Sequence, residues 1–264
     1  MPIPSEFSPQ QIQDFARDID THGFARLEDA LSPADLEQLR AFTDSRAAHH
    51  PGEYFAYHGE TALAESLLAS LWADSAIKQL LAGLFRHAAG RTSSSSQIFP
   101  VLRCVQGDIG RRESNCFHYD ASLVTALIPI YIPQEGQECG DLMLFPNLRK
   151  VRSNVVFNVI EKSVMQNRLG RWVTCQAIDK GWAKPRVLKL KPGDIYLFWG
   201  YRTLHANQPC SAGLKRATAI LHYGDPHSGS TATRVILGIN QRRAARRSAR
   251  TNIAPPETTP RQQP

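Results

Sequence analysis

A helix-buttressed β-sandwich is the fold class this sequence predicts, and three observations predict it. Capped, helix-patterned segments are confined to the first ninety or so residues. A polar run from Thr92 to Gln97 closes them off. From residue 98 onward the apolar segments shorten, become β-rich and are separated by turn residues. The chain has 264 residues, 42% hydrophobic and 21% charged, a balance that suits a water-soluble globular protein. That length fits one large sandwich as readily as two small domains.

The elements follow in order. Ser8 precedes Pro9, with Gln11 three residues after the serine, so a capping box opens a helix over 8–20. Gly23 to Leu27 reads as a short strand. Ser32 and Pro33 open a second helix over 32–40. Leucines at helical spacing extend helix over 61–88. Strands are then expected at Ile98–Val105, Cys116–Asp120, Leu123–Ile132, Leu142–Phe145, Val187–Leu190 and Ile195–Trp199, with another apolar strand through Lys215–Tyr223. Gly107-Asp108, Pro133, Gly136, Pro146-Asn147 and Pro192-Gly193 supply the turns. A helix is expected to interrupt the strands at 159–169. Residues 1–240 thus form a single domain, with a helical buttress over about 8–90 and a β-rich core over about 98–240. No internal repeat is present.

Composition excludes several classes. No apolar run approaches the ~18 residues of a membrane span, and the N-terminus lacks a basic start and apolar stretch. A cytoplasmic protein is expected. Cys104, Cys116, Cys139, Cys175 and Cys210 are odd in number and form no Cys-x-x-Cys, so reduced thiols are expected rather than a disulfide framework or a structural zinc site. Net charge is +7, but residues 241–264 carry six arginines against Glu257, which accounts for +5 of it. The basic, Pro-rich tail is expected to be disordered. No aromatic residue interleaves its arginines, so base stacking on nucleic acid has no support.

The chemistry-bearing residues are His118, Asp120 and His205. In a strand, residues i and i+2 share a face, so His118 and Asp120 point together while Tyr119 points away. Two histidines and one carboxylate are the protein ligands of a non-haem Fe(II) site with open positions. The dipeptide pattern is weak by itself. Nine histidines and 24 acidic residues in 264 make about one His-x-Asp/Glu expected by chance, and His58-Gly59-Glu60 is a second instance. That one is read as a solvated loop. What distinguishes His118 is the distal His205, followed eleven positions later by Arg216 in an apolar strand. A buried guanidinium needs an anion, and a carboxylate fits its fork. Thr218 shares its face and can donate a hydroxyl hydrogen bond to the same anion. An internal Arg–Asp pair is the competing explanation.

These segments resemble the phytanoyl-CoA dioxygenase-like branch of the Fe(II)/2-oxoglutarate oxygenases. The resemblance runs through Phe7–Phe15, His22–Leu27, Cys116–Asp120, Gly140–Pro146 and Lys191–Arg216. It implies a mainly β fold with flanking helices around a double-stranded β-helix, or jelly-roll, core. It implies His118, Asp120 and His205 on Fe(II), Arg216 on the distal carboxylate of 2-oxoglutarate, and Asn207 near that cosubstrate. It further implies O2 as co-reactant, ascorbate as an auxiliary reductant, and release of succinate and CO2. Retention of Asp120 favours hydroxylation over halogenation. One departure stands at Pro146-Asn-Leu-Arg-Lys, where the family has Pro-Gly-Ser-His, and 151–186 reads as an insertion.

Substrate clues are coarser. Arg103, Arg111, Arg112, Arg149, Lys150, Arg152, Arg168 and Arg171 flank the motifs and favour an anionic small metabolite. Arg103, within a strand, is assigned to cosubstrate or substrate. Trp172, Trp182 and Trp199 are assigned to the core rather than the pocket wall. The competing functions are an oxygenase of a protein side chain or lipid-linked sugar, and a non-catalytic cupin-like metal-binding protein.

Overall fold

The computed structural model describes residues 3–107, 113–134, 138–150, 168–211 and 213–226. Two serine-capped helices open the chain as their sequence demands. In α1 (Pro9–His22) and α2 (Pro33–Ala47), Ser8 and Ser32 accept from the backbone N–H three residues on. Gln11 and Asp35 return the bond to the cap residue, completing both capping boxes. Between them lies β1 (Ala25–Leu27), and after α2 comes β2 (Phe55–His58). The expected single helix over 61–88 is three: α3 (Glu60–Leu63), α4 (Leu68–Ala73) and α5 (Ser75–Ala89). The break has a local cause. Asp74 adopts an extended backbone and its carboxylate accepts from Ile77 N–H, capping α5 and ending α4.

The strands follow as β3 (Ile98–Val105), β4 (Val124–Tyr131), β5 (Leu142–Phe145), β6 (Arg186–Leu188), β7 (Ile195–Phe198), β8 (Leu204–Asn207) and β9 (Arg216–Tyr223). Helix α6 (Arg168–Asp179) stands between β5 and β6. It begins where the sequence reading ended its helix, and most of the expected 159–169 span lies outside the described residues. Among the described residues every pairing is antiparallel. Six strands run in the order β1-β7-β4-β9-β3-β2, and three in the order β6-β5-β8.

Period-two alternation decides what each face meets. In β9, Ala217, Ala219, Leu221 and Tyr223 pack in the main core under the helices, with Leu80, Leu84 and Phe85 of α5. Arg216, Thr218, Ile220 and His222 face the opposite way and line a cavity between the two sheets. β3 splits likewise, with Leu102 and Cys104 in the core and Val101 and Arg103 on the cavity. The small sheet gives Leu142 and Leu144 to the inter-sheet cluster. Its Met143, Leu204 and Ala206 pack outward with Phe117 and Tyr119, where Cys175 and Ile178 of α6 also lie. The architecture is therefore a mainly antiparallel β-sandwich with its helical buttress on the outer face of the larger sheet.

The Lys191–Asp194 turn holds the buttress to the sheet. Asp194 is fully buried; its carboxylate accepts from Arg26 Nε at 2.5 Å and from Asp29 N–H at 2.9 Å. Among the described residues no helix is long and apolar enough to cross a membrane. The tail at 241–264 lies outside the described residues.

Candidate metal centre

His205 sits in β8, a strand not among those expected from the sequence. Across from it the chain makes one isolated bridge. His118 N–H donates to His205 O and His205 N–H donates to His118 O, both at 3.0 Å. The expected strand at Cys116–Asp120 does not form beyond this point, because Asp120 N–H turns away to Gly200 O at 2.9 Å. The expected alternation nevertheless survives. His118 and Asp120 face the cavity while Phe117 and Tyr119 pack outward. A Cβ on Gly200 would lie 2.2 Å from Thr125 Oγ1 and 2.3 Å from Asp120 Oδ2, so only glycine lets the chain pass this close.

The donor atoms converge. His118 Nε2 and His205 Nε2 lie 3.7 and 3.6 Å from Asp120 Oδ1, and all three ligand atoms fall within 4.8 Å of one another. Each imidazole is oriented from behind. His118 Nδ1 is 2.8 Å from Cys116 O, and His205 Nδ1 is 3.0 Å from Thr203 O. A carbonyl can only accept, so each Nδ1 donates and each ring aims its Nε2 at the centre. Thr125 Oγ1 donates to Asp120 Oδ2 at 2.5 Å, which leaves Oδ1 to face the histidines.

Electrostatics keep this donor set ready for a metal. Burial, reinforced by the facing His205, pushes the His118 imidazole down to about 3. Burial alone would raise Asp120, but His205, His222 and His118 beside it and the Thr125 hydrogen bond hold it well below the usual carboxylate range. Two imidazole Nε2 atoms and one carboxylate oxygen suit a divalent transition ion such as Fe(II) and leave its other positions to other ligands. The residues present thus fit the metal expected from the sequence.

The other end of the cavity is built on regular register. Arg216 is buried, and its Nε donates to Gly140 O at 2.6 Å. Gly140 has φ +72°, and a Cβ there would lie 2.5 Å from Arg216 Cδ, so glycine seats the arginine. Among the described residues no carboxylate pairs with Arg216, which removes the internal ion pair as its explanation there. Burial and the nearby Arg103 lower its guanidinium to about 10, still charged at neutral pH. Arg103 stands directly opposite Thr218 in the β3–β9 ladder. Burial opposes its charge, but the Tyr54 phenol and Glu113 push its pKa above the usual value. Asn207, Arg103, Thr218 and Arg216 all line the one cavity of about 360 Å³ that His118, Asp120 and His205 also line.

Several expectations are corrected. His58 is not on a solvated loop. It ends β2, is half-buried and lines the cavity, though it does not join the metal cluster. The tryptophans divide. Trp199 is core, its indole donating to Asp20 Oδ1 at 2.8 Å, whereas Trp172 and Trp182 are 60% and 77% exposed. Of the flanking basic residues, Arg103 alone lines the cavity among those described. Arg149 is buried between the Tyr119 and Tyr201 rings, 4.0 and 3.9 Å from their centroids. Arg171 Nη1 reaches Cys116 Sγ at 3.3 Å. Arg111, Arg112, Arg152 and the Arg168 side chain lie outside the described residues. The sequence reading missed Tyr54 and His222. His222 was findable, since it continues the 216, 218, 220 alternation of β9.

No family model and no curated protein matches the sequence, but solved structures match the fold. The α-ketoglutarate-dependent epimerase SnoN from nogalamycin biosynthesis superposes with a TM-score of 0.55 at 16% identity, covering 83% of this chain and 84% of that one. A prolyl hydroxylase from Trichoplax adhaerens, in complex with a hypoxia inducible factor peptide, gives 0.54 at 14%, with 84% and 94% covered. HygX from Streptomyces hygroscopicus, with nickel and 2-oxoglutarate bound, gives 0.53 at 14%, with 83% and 87% covered. The double-stranded β-helix expected of the core agrees with these likenesses. The chain has the fold of the Fe(II)/2-oxoglutarate-dependent oxygenases, and it sets a His–Asp–His cluster in the cavity between its sheets.

Proposed function

We propose that the protein is an Fe(II)- and 2-oxoglutarate-dependent oxygenase that hydroxylates a C–H bond of a small, anionic metabolite. The observation that carries this is one cavity holding both a convergent His118–Asp120–His205 donor set and a buried Arg216 with no carboxylate partner among the described residues. When bound, Fe(II) would supply O2 activation coupled to conversion of 2-oxoglutarate to succinate and CO2. The chain's own residues do the rest. His118 Nε2, His205 Nε2 and Asp120 Oδ1 hold the ion, and Thr125 keeps Oδ2 turned away. Arg216 and Thr218 clamp the distal carboxylate of the cosubstrate, with Asn207 and Arg103 beside it. The two β-sheets wall the cavity on either side.

Charge supports an anionic substrate. Among the described residues, Arg103, Arg216 and a divalent ion face a single lining carboxylate, Asp120, with Glu113 acting on Arg103 from beyond the lining. A 2-oxoglutarate dianion offsets part of that excess and leaves a net positive cavity that a substrate carboxylate would neutralise. The likenesses include enzymes whose names point to small molecules and one bound to a peptide. The cavity's modest volume favours the small molecule.

The test is conversion of 2-oxoglutarate to succinate by the Fe(II)-loaded protein without substrate, compared with His118→Ala and Arg216→Ala. Turnover in the wild type that both variants abolish is expected. Undiminished turnover in both would sink the assignment.

A further inference from the structure

Two cysteines that are 71 positions apart in sequence meet at the end of the small sheet. Cys139 and Cys210 form an isolated antiparallel bridge. It continues the register in which Leu142 faces Asn207 and Leu144 faces His205. The flanking backbone bonds are Gly140 N–H to Pro209 O at 2.9 Å and Ser211 N–H to Glu138 O at 3.0 Å. Those bonds bracket the cysteines, so the pair occupies a non-hydrogen-bonded site, where Cα atoms approach to about 4.5 Å and side chains lie on one face. That separation falls within the range a disulfide spans without moving the backbone.

The surroundings single this pair out. Cys210 lies close enough to the Arg216 guanidinium to act on its charge. Cys139 is partly exposed, which gives an oxidant a way in. Among the described residues no other two cysteines face each other in strand register. Burial pushes Cys104 up to about 12 and raises Cys116 and Cys175 as well.

We propose that Cys139 and Cys210 are a redox-responsive pair that closes into a cross-strand disulfide when the protein meets a peroxide. The thiolate of one cysteine attacks the peroxide O–O bond, giving a sulfenic acid and releasing water. The second thiol then displaces hydroxide, so two thiols and one hydrogen peroxide yield one disulfide and two waters. The bond would tie the segment bearing Gly140, whose carbonyl receives Arg216 Nε, to the strand that carries His205 and Asn207. Redox state would thereby reach the arginine end of the cavity through the backbone. The inference does not depend on the oxygenase reading, because it rests on strand register alone.

Peptide mapping of the full-length protein tests it. The protein is treated with hydrogen peroxide, denatured, alkylated and digested without reductant. A Cys139–Cys210 linked peptide is expected. Alkylatable Cys139 and Cys210 should fall about ten-fold or more, while Cys104, Cys116 and Cys175 keep theirs. Dithiothreitol should restore both, and Cys139→Ser should abolish the linked peptide. Recovery of both residues as separate alkylated or over-oxidised peptides would overturn the proposal, as would linkage to any other cysteine or between two copies. The wild-type map decides this without relying on the variant to fold.

Discussion

The two ends of the cavity are assembled by opposite means. The arginine end is built on ladder register, since Arg103 faces Thr218 across β3 and β9, and Arg216 and Thr218 share a face by alternation. The histidine end joins one ladder residue, His205 of β8, to a segment, His118–Asp120, that is barely a strand. One bridge joins His118 to His205, with Asn115 N–H donating to Asn207 O beside it, and the Asp120 backbone leaves the pairing for Gly200 O while Thr125 holds its carboxylate. Register places a side chain to within the tolerance of a strand, and neighbouring ladder bonds share the load. An isolated bridge has no such redundancy. The metal end should therefore be brittle to small backbone changes that the arginine end absorbs.

The largest effects should come from the donors themselves. His118→Ala or His205→Ala should weaken binding of Fe(II), or of Mn(II) as an anaerobic stand-in, by about 100-fold or more. Calorimetric titration reads this directly, and 2-oxoglutarate turnover should fall to background. Next comes the sharpest test of the contrast, alanine at each supporting glycine. Gly200→Ala drives a Cβ into Thr125 Oγ1 and Asp120. It should cost metal affinity about 10–100-fold and about 1–3 kcal/mol of stability. Gly140→Ala meets mainly the flexible Arg216 side chain, at φ +72°. It should raise the KM for 2-oxoglutarate and leave metal affinity nearly unchanged. Equal losses of metal from both variants would erase the distinction between the two ends. Arg216→Lys is milder. It keeps charge but loses the fork, so the KM for 2-oxoglutarate should rise roughly ten-fold with metal binding intact.

The same contrast explains what was readable in the sequence. The β9 segment Arg-Ala-Thr-Ala-Ile-Leu-His-Tyr announces strand and facing at once, so Arg216 and Thr218 were legible. The pairing of His118, Asp120 and His205 was legible from residue type and spacing, but its support was not. β8 has four residues, and only Leu204 and Ala206 lie on its apolar face. It exists because β5 pairs with it from 59 to 65 positions away and His118 from 87. Such long-range bonds leave no periodic trace. His58 was misread for the same reason, since β2 owes its place to β3. Trp172 was misread because a large aromatic residue is a poor guide to burial on a helix whose outer face meets solvent.

The smallest predicted effect lies where buttress meets sheet, and it concerns acid. Asp20, at the C-terminal end of α1, accepts from Trp199 Nε1 at 2.8 Å, lies 3.0 Å from His87 Nε2 and pairs with Arg202 at 3.3 Å. Burial would raise its pKa, but the indole hydrogen bond, His87 and Arg202 outweigh burial and hold it below the ordinary carboxylate value. A carboxylate lowered in the folded state binds fewer protons there than in the unfolded chain. Its stabilisation is fully present above the unfolded pKa of about 3.9 and is lost as pH falls through the lower folded value. Asp20 is 40% exposed, so solvent screening limits the contribution to about 1 kcal/mol. Asp20→Asn should therefore lower the melting temperature by a few degrees at pH 7 and by progressively less below pH 4, as the wild type loses the same interaction. A deficit that stayed constant down to pH 2 would mean that Asp20 acts through packing, not through its charge.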